Sequence, residues 1–239
     1  MHKLLESVIA KNSGDIERGN VPGLITYINP YSYLMLRKAR VHLDDYASIY
    51  IDGSLLVIFF RLLLRKSFSR ISFDMTSAAP VLFEAWQRDQ KTVYFIGAQD
   101  HEMSVFIDRV SAAFPTLSIA GWQGGHFKDK EDRDAAISRI CHLRPEVLIV
   151  GMGAPLQERF LQDVVAAGWG GIGHTCGGFI HQTATKLAYY PELINKFNLR
   201  WLYRIYDEPK LAKRYMLIYP YALWLIFFDM LPFRRRLQV

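Results

Sequence analysis

Three groups of residues in this chain combine types and spacings that could do chemistry. The first is VGMGAPLQE at Val150–Glu158, where an apolar run enters a glycine-rich turn that a proline closes. Gly151 and Gly153 permit close backbone approach or positive φ, and Pro155 suits a first helical position, where a missing N–H is harmless. A helix opening there aims unpaired N–H groups at an anion such as a phosphate, with Gln157 and Glu158 in its first turn. A tight strand–helix connection explains the same glycines, since neither a G-x-G-x-x-G nor a Walker loop is present. The second is Asp52 in IYIDGS, a carboxylate at the end of an apolar run with a glycine making room. That position suits a general base, and it equally suits the N-cap of a following helix. The third is a run of arginines, including Arg200, Arg204 and Arg214, spaced so that some share a helix face and can clamp a diphosphate.

Thr26, Tyr27 and Asn29 end an earlier apolar run and could line the same cleft; Asn29-Pro30 is also an ordinary turn start. Asp74 precedes another helix, as cleft residue or as cap. His126, His174, Cys176 and His181 are zinc-ligand types without zinc-ligand spacing, so no metal site is expected. Asp132-Arg133-Asp134 mimics a metal-binding D-x-D, but it opens a helix within a charged run, where acidic residues suit the helix dipole.

The elements that must hold these groups follow from periodicity. Short apolar runs at Leu24–Ile28, Ala47–Ile51, Thr92–Ile96, Leu117–Ala120, Val147–Val150 and Gly171–Cys176 read as strands. Amphipathic stretches at Tyr31–Arg40, Ser54–Leu64, Ser77–Asp89, His101–Phe114, Asp132–His142 and Leu156–Ala167 read as helices. The alternation predicts an α/β, Rossmann-like, mostly parallel sheet with helices on both faces. We expect residues 1–188 to form this core and residues 189–239 a helical, basic and aromatic appendage. Asp207-Glu208-Pro209 reads as a helix start there, and Pro220 and Asp229 as breaks in the apolar run that follows.

The 239 residues carry a net charge of +6, which admits nucleic acid, an anionic membrane or a phosphorylated substrate. The basic residues of the tail accompany large aliphatics and aromatics rather than a polar groove, which favours an interfacial membrane element over nucleic acid. The alternative is a helix packed on the core or on another copy of the chain in a homo-oligomer. Two distant cysteines, no signal-like N-terminus and no apolar run of about 18–20 residues predict a cytosolic chain, peripheral on the inner face of the cell membrane.

Taken in order, the pieces resemble the WecG/TagA/CpsF glycosyltransferase family over roughly Leu24 to Tyr215. They are INP at Ile28–Pro30, IDGSLLV at Ile51–Val57, RISFDMTS at Arg70–Ser77, YFIGA at Tyr94–Ala98 and GGHF at Gly124–Phe127. VGMGAPLQE, CGGFIHQTA at Cys176–Ala184 and LRWLYRIYDEPKLAKRY at Leu199–Tyr215 complete them. The resemblance implies an inverting, metal-independent transferase without a cofactor, moving a sugar from a UDP-sugar to a polyprenyl-diphosphate-linked sugar at the membrane. It implies Asp52 as catalytic base, Gly153, Pro155, Gln157 and Glu158 as the nucleotide-sugar loop, and Arg204 and Arg214 over the diphosphate. Departures occur at Tyr27, at Lys210-Leu211 and across Gln182–Pro191, so specificity does not carry over. A non-catalytic nucleotide-sugar-binding subunit and, more remotely, an NAD-type oxidoreductase are the competing classes.

Overall fold

The computed structural model describes residues 2–187, 189, 191, 194 and 200–234, with side chains described only as far as residue 231 at the C-terminal end. Six parallel strands, β1 (Gly23–Ile28), β2 (Tyr46–Ile51), β3 (Thr92–Gly97), β4 (Ser118–Gln123), β5 (Val147–Gly151) and β6 (Ile172–Thr175), form one sheet in the order β2-β1-β6-β5-β3-β4. Each run expected to be a strand is one, and the sheet is parallel throughout. The edge strand β4 continues beyond Ala120 through Gly121, Trp122 and Gln123, because half-exposed edge positions tolerate residues that an apolar-run criterion rejects.

Helices cover both faces: α1 (Lys3–Ala10), α2 (Pro30–Lys38), α3 (Ser54–Leu64), α4 (Ala78–Arg88), α5 (Asp100–Ala113), α6 (Lys130–Leu143), α7 (Leu156–Ala166) and α8 (Phe179–Thr185). Alternation along the strands builds two cores. Leu24, Tyr94, Ile96, Leu148 and Val150 pack with Leu36, Phe60, Phe160 and Leu161 on one face. Ile25, Val93, Phe95, Val147 and Ile149 pack with Phe83, Trp86, Phe106 and Phe179 on the other. Strands buried on both faces are largely apolar, which is why they read as near-continuous runs, and buried polar positions such as Thr26, His174 and Thr175 are hydrogen-bonded.

After α8 come α9 (Arg200–Asp207), a 3-10 turn (Pro209–Leu211), a π-helical segment (Arg214–Ile218) and α10 (Tyr219–Arg234). The expected helix start at Asp207-Glu208-Pro209 is found: Glu208 is the N-cap and Pro209 the first residue of the 3-10 turn, from which the helical run continues into α10. Neither Pro220 nor Asp229 interrupts α10. Pro220 lies in its first turn, directly after the π-helical segment. Asp229 is neutralised by α2: Arg37 Nε and Nη2 lie 2.8 and 3.0 Å from its carboxylate, and Tyr33 Oη donates to it at 2.8 Å. Ala222, Ile226 and Met230 repeat every four residues and are buried, the latter two in the core that contains Leu4 and Leu36. Among the described residues no helix is long and apolar enough to cross a membrane. The boundary residue 188 and the basic residues 235 and 236 fall outside the described residues.

A buried histidine ties the N-terminal segment to the sheet. His174 accepts or donates at 3.0 Å to Tyr27 Oη through Nδ1 and contacts the Gly19 carbonyl at 2.8 Å through Nε2. Burial lowers its pKa from 6.5 to about 4, outweighing the Gly19 carbonyl, which favours the charged form. The folded protein therefore holds it neutral while the unfolded chain protonates it near pH 6.5. Its contribution is complete above that pH and is lost as pH falls towards 4, amounting to about 3 kcal/mol. Urea unfolding across this window should show that decline, and His174→Gln should flatten it; an unchanged slope in the variant would exclude His174 as its source.

Candidate active site

The carboxyl ends of β1, β2, β3, β5 and β6 open onto one cleft of about 1260 Å³, where an α/β sheet ordinarily takes its ligand. Asp52 follows β2 directly, and its backbone N–H donates to the Ile28 carbonyl at 2.8 Å, fixing the strand end beside β1. The capping alternative does not hold. Gly53, at φ 96°, occupies the N-cap of α3, and no side chain bonds into that cap. Asp52 lines the cleft instead. Burial, followed by the neighbouring Asp74 carboxylate, raises its pKa above the ordinary value, against the opposing pull of Arg70, Arg200 and Arg204.

Asp74 also lines the cleft and anchors the tail to the core. Its Oδ2 accepts from Ser72 Oγ at 2.5 Å and from Arg200 Nη1 at 2.7 Å, while its Oδ1 accepts from the Thr76 N–H and hydroxyl at 2.8 and 2.6 Å. Arg200 reaches Thr76 Oγ1 as well. Ser77 occupies the N-cap position of the following helix, α4, without a side-chain hydrogen bond, so Asp74 is not the N-cap. The first residue of α9 is thereby locked beside Asp52's strand end. One turn on, Arg204 donates to Glu208 at 2.7 Å, and a Cβ placed on Gly178 would lie 4.0 Å from its terminal nitrogens. Arg214 stacks its guanidinium 3.8 Å above the Tyr31 ring, a cation–π contact that orients it. Both arginines line the cleft, as do Arg70 and Arg200.

The Val150–Glu158 segment divides between cleft and core. Gly151 and Gly153 line the cleft. Gly153 adopts φ 73°, which favours glycine, whereas Gly151 is glycine because a Cβ would meet Ile180 and Cys176 within 2.9 Å. Pro155 is the cap residue of α7 rather than its first helical residue, follows a cis bond from Ala154 and does not line the cleft. Gln157 faces the cleft, with its Oε1 accepting from the Gly177 N–H at 3.0 Å. Glu158, expected beside it at a ligand, points into the protein. Successive helical residues diverge by about 100°, so a cleft-facing Gln157 turns Glu158 onto the sheet. There its Oε1 accepts from Thr26 Oγ1 at 3.1 Å and Gln157 Nε2 at 3.0 Å, and its Oε2 has no hydrogen-bond partner among the described residues. Burial raises its pKa.

Thr26 is likewise misplaced by the cleft expectation. It is fully buried, bonded to Glu158 and at 2.8 Å to Thr175 Oγ1. Strand alternation sends it and Tyr27 to opposite faces. Tyr27 lines the cleft, and its hydroxyl is bonded to His174. Asn29 serves both readings: it lines the cleft and caps α2, accepting from the Ser32 N–H at 3.0 Å.

Sequence reasoning missed Arg70, Gln99 and Glu102. Glu102 on α5 pairs with His181 on α8, both at the cleft, and its other oxygen accepts from the Gln99 N–H at 2.9 Å. Residues 79 positions apart carry no local signal of such a pair. His174 and Cys176, weighed as zinc ligands, are buried packing residues. Asp132 lies in the first turn of α6, its N–H bonded to the Asp129 cap at 2.8 Å, and not at the cleft.

The cleft thus combines a carboxylate with raised proton affinity, a strand–turn–helix with a glycine at positive φ, and guanidiniums delivered by the C-terminal helices. That set can accept a proton and hold a polyanion. Comparison with known proteins agrees. The family model described as "Glycosyl transferase WecG/TagA/CpsF family" matches residues 3–236. A UDP-Gal:α-D-GlcNAc-diphosphoundecaprenol β-1,4-galactosyltransferase of Shigella boydii is 31% identical over 206 residues, 86% of this chain and 86% of that protein. N-acetylglucosaminyldiphosphoundecaprenol N-acetyl-β-D-mannosaminyltransferases of Bacillus spizizenii and Bacillus subtilis are 28% and 26% identical, over 72% and 85% of this chain and 65% and 78% of theirs. A carboxylate and arginines gathered at the strand ends, within a match that spans nearly the whole chain, place this protein in the WecG/TagA/CpsF family of glycosyl transferases.

Proposed function

We propose that this protein transfers a hexose from a UDP-sugar to a sugar carried on polyprenyl diphosphate, with inversion at the anomeric carbon and without a metal. The observation that carries the reading is Asp52, uncommitted to helix capping, in a cleft shared with Arg70, Arg200, Arg204 and Arg214. The acceptor class is supported by the relatives, all three of which are named for a GlcNAc-diphosphoundecaprenol acceptor. Inversion is supported by the β linkages in those names, given an α-linked UDP-sugar donor.

In this mechanism the acceptor hydroxyl gives its proton to Asp52 while its oxygen bonds to the donor's anomeric carbon. The bond from that carbon to the β-phosphate oxygen breaks, and UDP leaves with the electron pair. Gly153 and the amino end of α7 receive the donor, and Gln157 faces it, held in one rotamer by Gly177 and Glu158. The arginines offset the charge that develops on the diphosphate, the task a metal performs in other transferases. Glu158 and Thr26 act from behind this wall and touch neither substrate. Residues 189–239 work as an appendage that completes the cleft. Its exposed Met216, Leu217, Tyr221, Trp224 and Phe228 meet the inner face of the cytoplasmic membrane, where the acceptor resides.

The test is a transfer assay with UDP-galactose, UDP-N-acetylmannosamine and other UDP-hexoses on detergent-dispersed GlcNAc-diphosphoundecaprenol. One donor should give a β-linked disaccharide lipid at a rate unchanged by EDTA. Binding of UDP in calorimetry with no transfer from any donor would instead identify a non-catalytic subunit.

A further inference from the structure

Helix α3 leaves an aliphatic face uncovered immediately beyond Asp52. Leu56, Val57 and Phe60 are buried, yet Leu55, Ile58 and Leu62 are 47%, 52% and 73% exposed. Their spacings of three and four residues make one stripe, and the helix is apolar on nearly every side. A surface helix of a water-facing enzyme would carry polar residues there. At a rise of 1.5 Å per residue the stripe runs about 10.5 Å from Leu55 to Leu62.

Its position identifies what covers it. Leu55 and Ile58 belong to the wall of the cleft that holds Asp52, and Trp201 and Met216 of the C-terminal helices line the same cleft. One continuous surface therefore carries a carboxylate, guanidiniums and an aliphatic rim, and Arg65 and Lys66 stand exposed just beyond the end of α3. A nucleotide or a free sugar has nothing to match that rim. An amphiphile with a diphosphate head and a hydrocarbon chain matches both parts, and the terminal cations suit anionic headgroups at the point where such a chain meets a bilayer.

We infer that Leu55, Ile58 and Leu62, with Met216, form the track for the first isoprene units of the acceptor's polyprenyl chain. This rests on the lipid-linked acceptor proposed above. The chain leaves the cleft along α3 while the acceptor's sugar hydroxyl stays at Asp52.

The test is a Leu55→Gln, Ile58→Gln, Leu62→Gln triple variant, whose exposed positions tolerate polar side chains; an unchanged melting temperature confirms its fold. The readout is the ratio of kcat/KM for GlcNAc-diphosphoundecaprenol to that for a two-isoprene GlcNAc-diphosphate in the same detergent. The parent should prefer the long chain, and the variant should lose about tenfold of that preference. An unchanged ratio overturns the inference. If it accompanies weaker sedimentation with phosphatidylglycerol vesicles, the stripe is a bilayer surface; if it accompanies conversion of a dimer to a monomer, it is a self-association face. Should the parent transfer sugar to neither acceptor, the functional reading fails separately. Photolabelling with a benzophenone-bearing prenyl diphosphate then decides the track: modification of the α3 peptide in the parent and not in the variant supports it, and labelling elsewhere excludes it.

Discussion

Asp52→Asn lowers kcat for sugar transfer by about 10³-fold or more while leaving UDP affinity within about twofold, at the upper range for loss of a general base. The substitution preserves shape while removing the carboxylate's charge and its ability to take a proton. Nothing else about the strand end changes, because Gly53 rather than Asp52 caps α3 and the Asp52 backbone N–H still bonds to Ile28. The pH profile gives an independent check. Asp52 must be ionised to act, and burial with the adjacent Asp74 carboxylate raises its pKa. The acid limb of kcat/KM should therefore lie above the ordinary carboxylate range near pH 3.9. Asp74→Asn removes one repelling charge and should move that limb to lower pH. Turnover by Asp52→Asn within tenfold of the parent would remove Asp52 from the role of base.

Arg204→Met should lower kcat by about 10²–10³-fold, the usual consequence of deleting one donor aimed at developing charge. Arg204 is delivered by α9, packed against the β6–α8 turn at Gly178 and oriented by Glu208, so its guanidinium is fixed before substrate arrives. Arg204→Lys should recover only part of the loss, since an ammonium cannot reproduce a planar two-toothed contact. A merely structural role would leave the pH profile alone. A role in the cleft will not: removing this cation withdraws one of the charges that favour ionised Asp52, so the acid limb should move to higher pH. A kcat within threefold of the parent, with an unmoved acid limb, would exclude the assignment.

How much of this was legible in the residues varies with the range of the interaction involved. The strands β1, β2, β3, β5 and β6 could be read because strands buried on both faces are largely apolar, as Ile49–Ile51 and Val147–Val150 are, even though β1 buries Thr26 and β6 buries His174 and Thr175. Helix ends could be read nearly as well, with shifts of one or two residues at Pro30 and Lys130. The short α8 and the N-terminal α1 were not anticipated; α8 begins within the CGGFIHQTA segment, which is too short to show a helical period.

Asp52, Gly153, Gln157, Arg204 and Arg214 reached the cleft as expected, because each stands at a strand end, a turn or a helix terminus whose direction the local pattern sets. Glu158 and Thr26 did not, although they have the same residue types as ligands. Which side of a helix or strand faces the cleft is a single rotation of about 100° or 180°, and no residue type reports it. The Asp74–Arg200 pair and the Glu102–His181 pair join residues more than seventy positions apart and became visible only once the sheet order had brought their elements together.

The chain alone determined the α/β class, the strand-end position of Asp52 and a cationic C-terminal segment, since these depend on hydrophobic period and charge composition. The tertiary structure decided that Gly53 frees Asp52 from capping and that Asp74 pins Arg200 over the cleft. It also decided that Asp229 holds α10 to α2 and that the α3 stripe opens onto the site. Each of these is a choice between partners, and a side chain's partner is set by which elements the packing of the two cores leaves beside it.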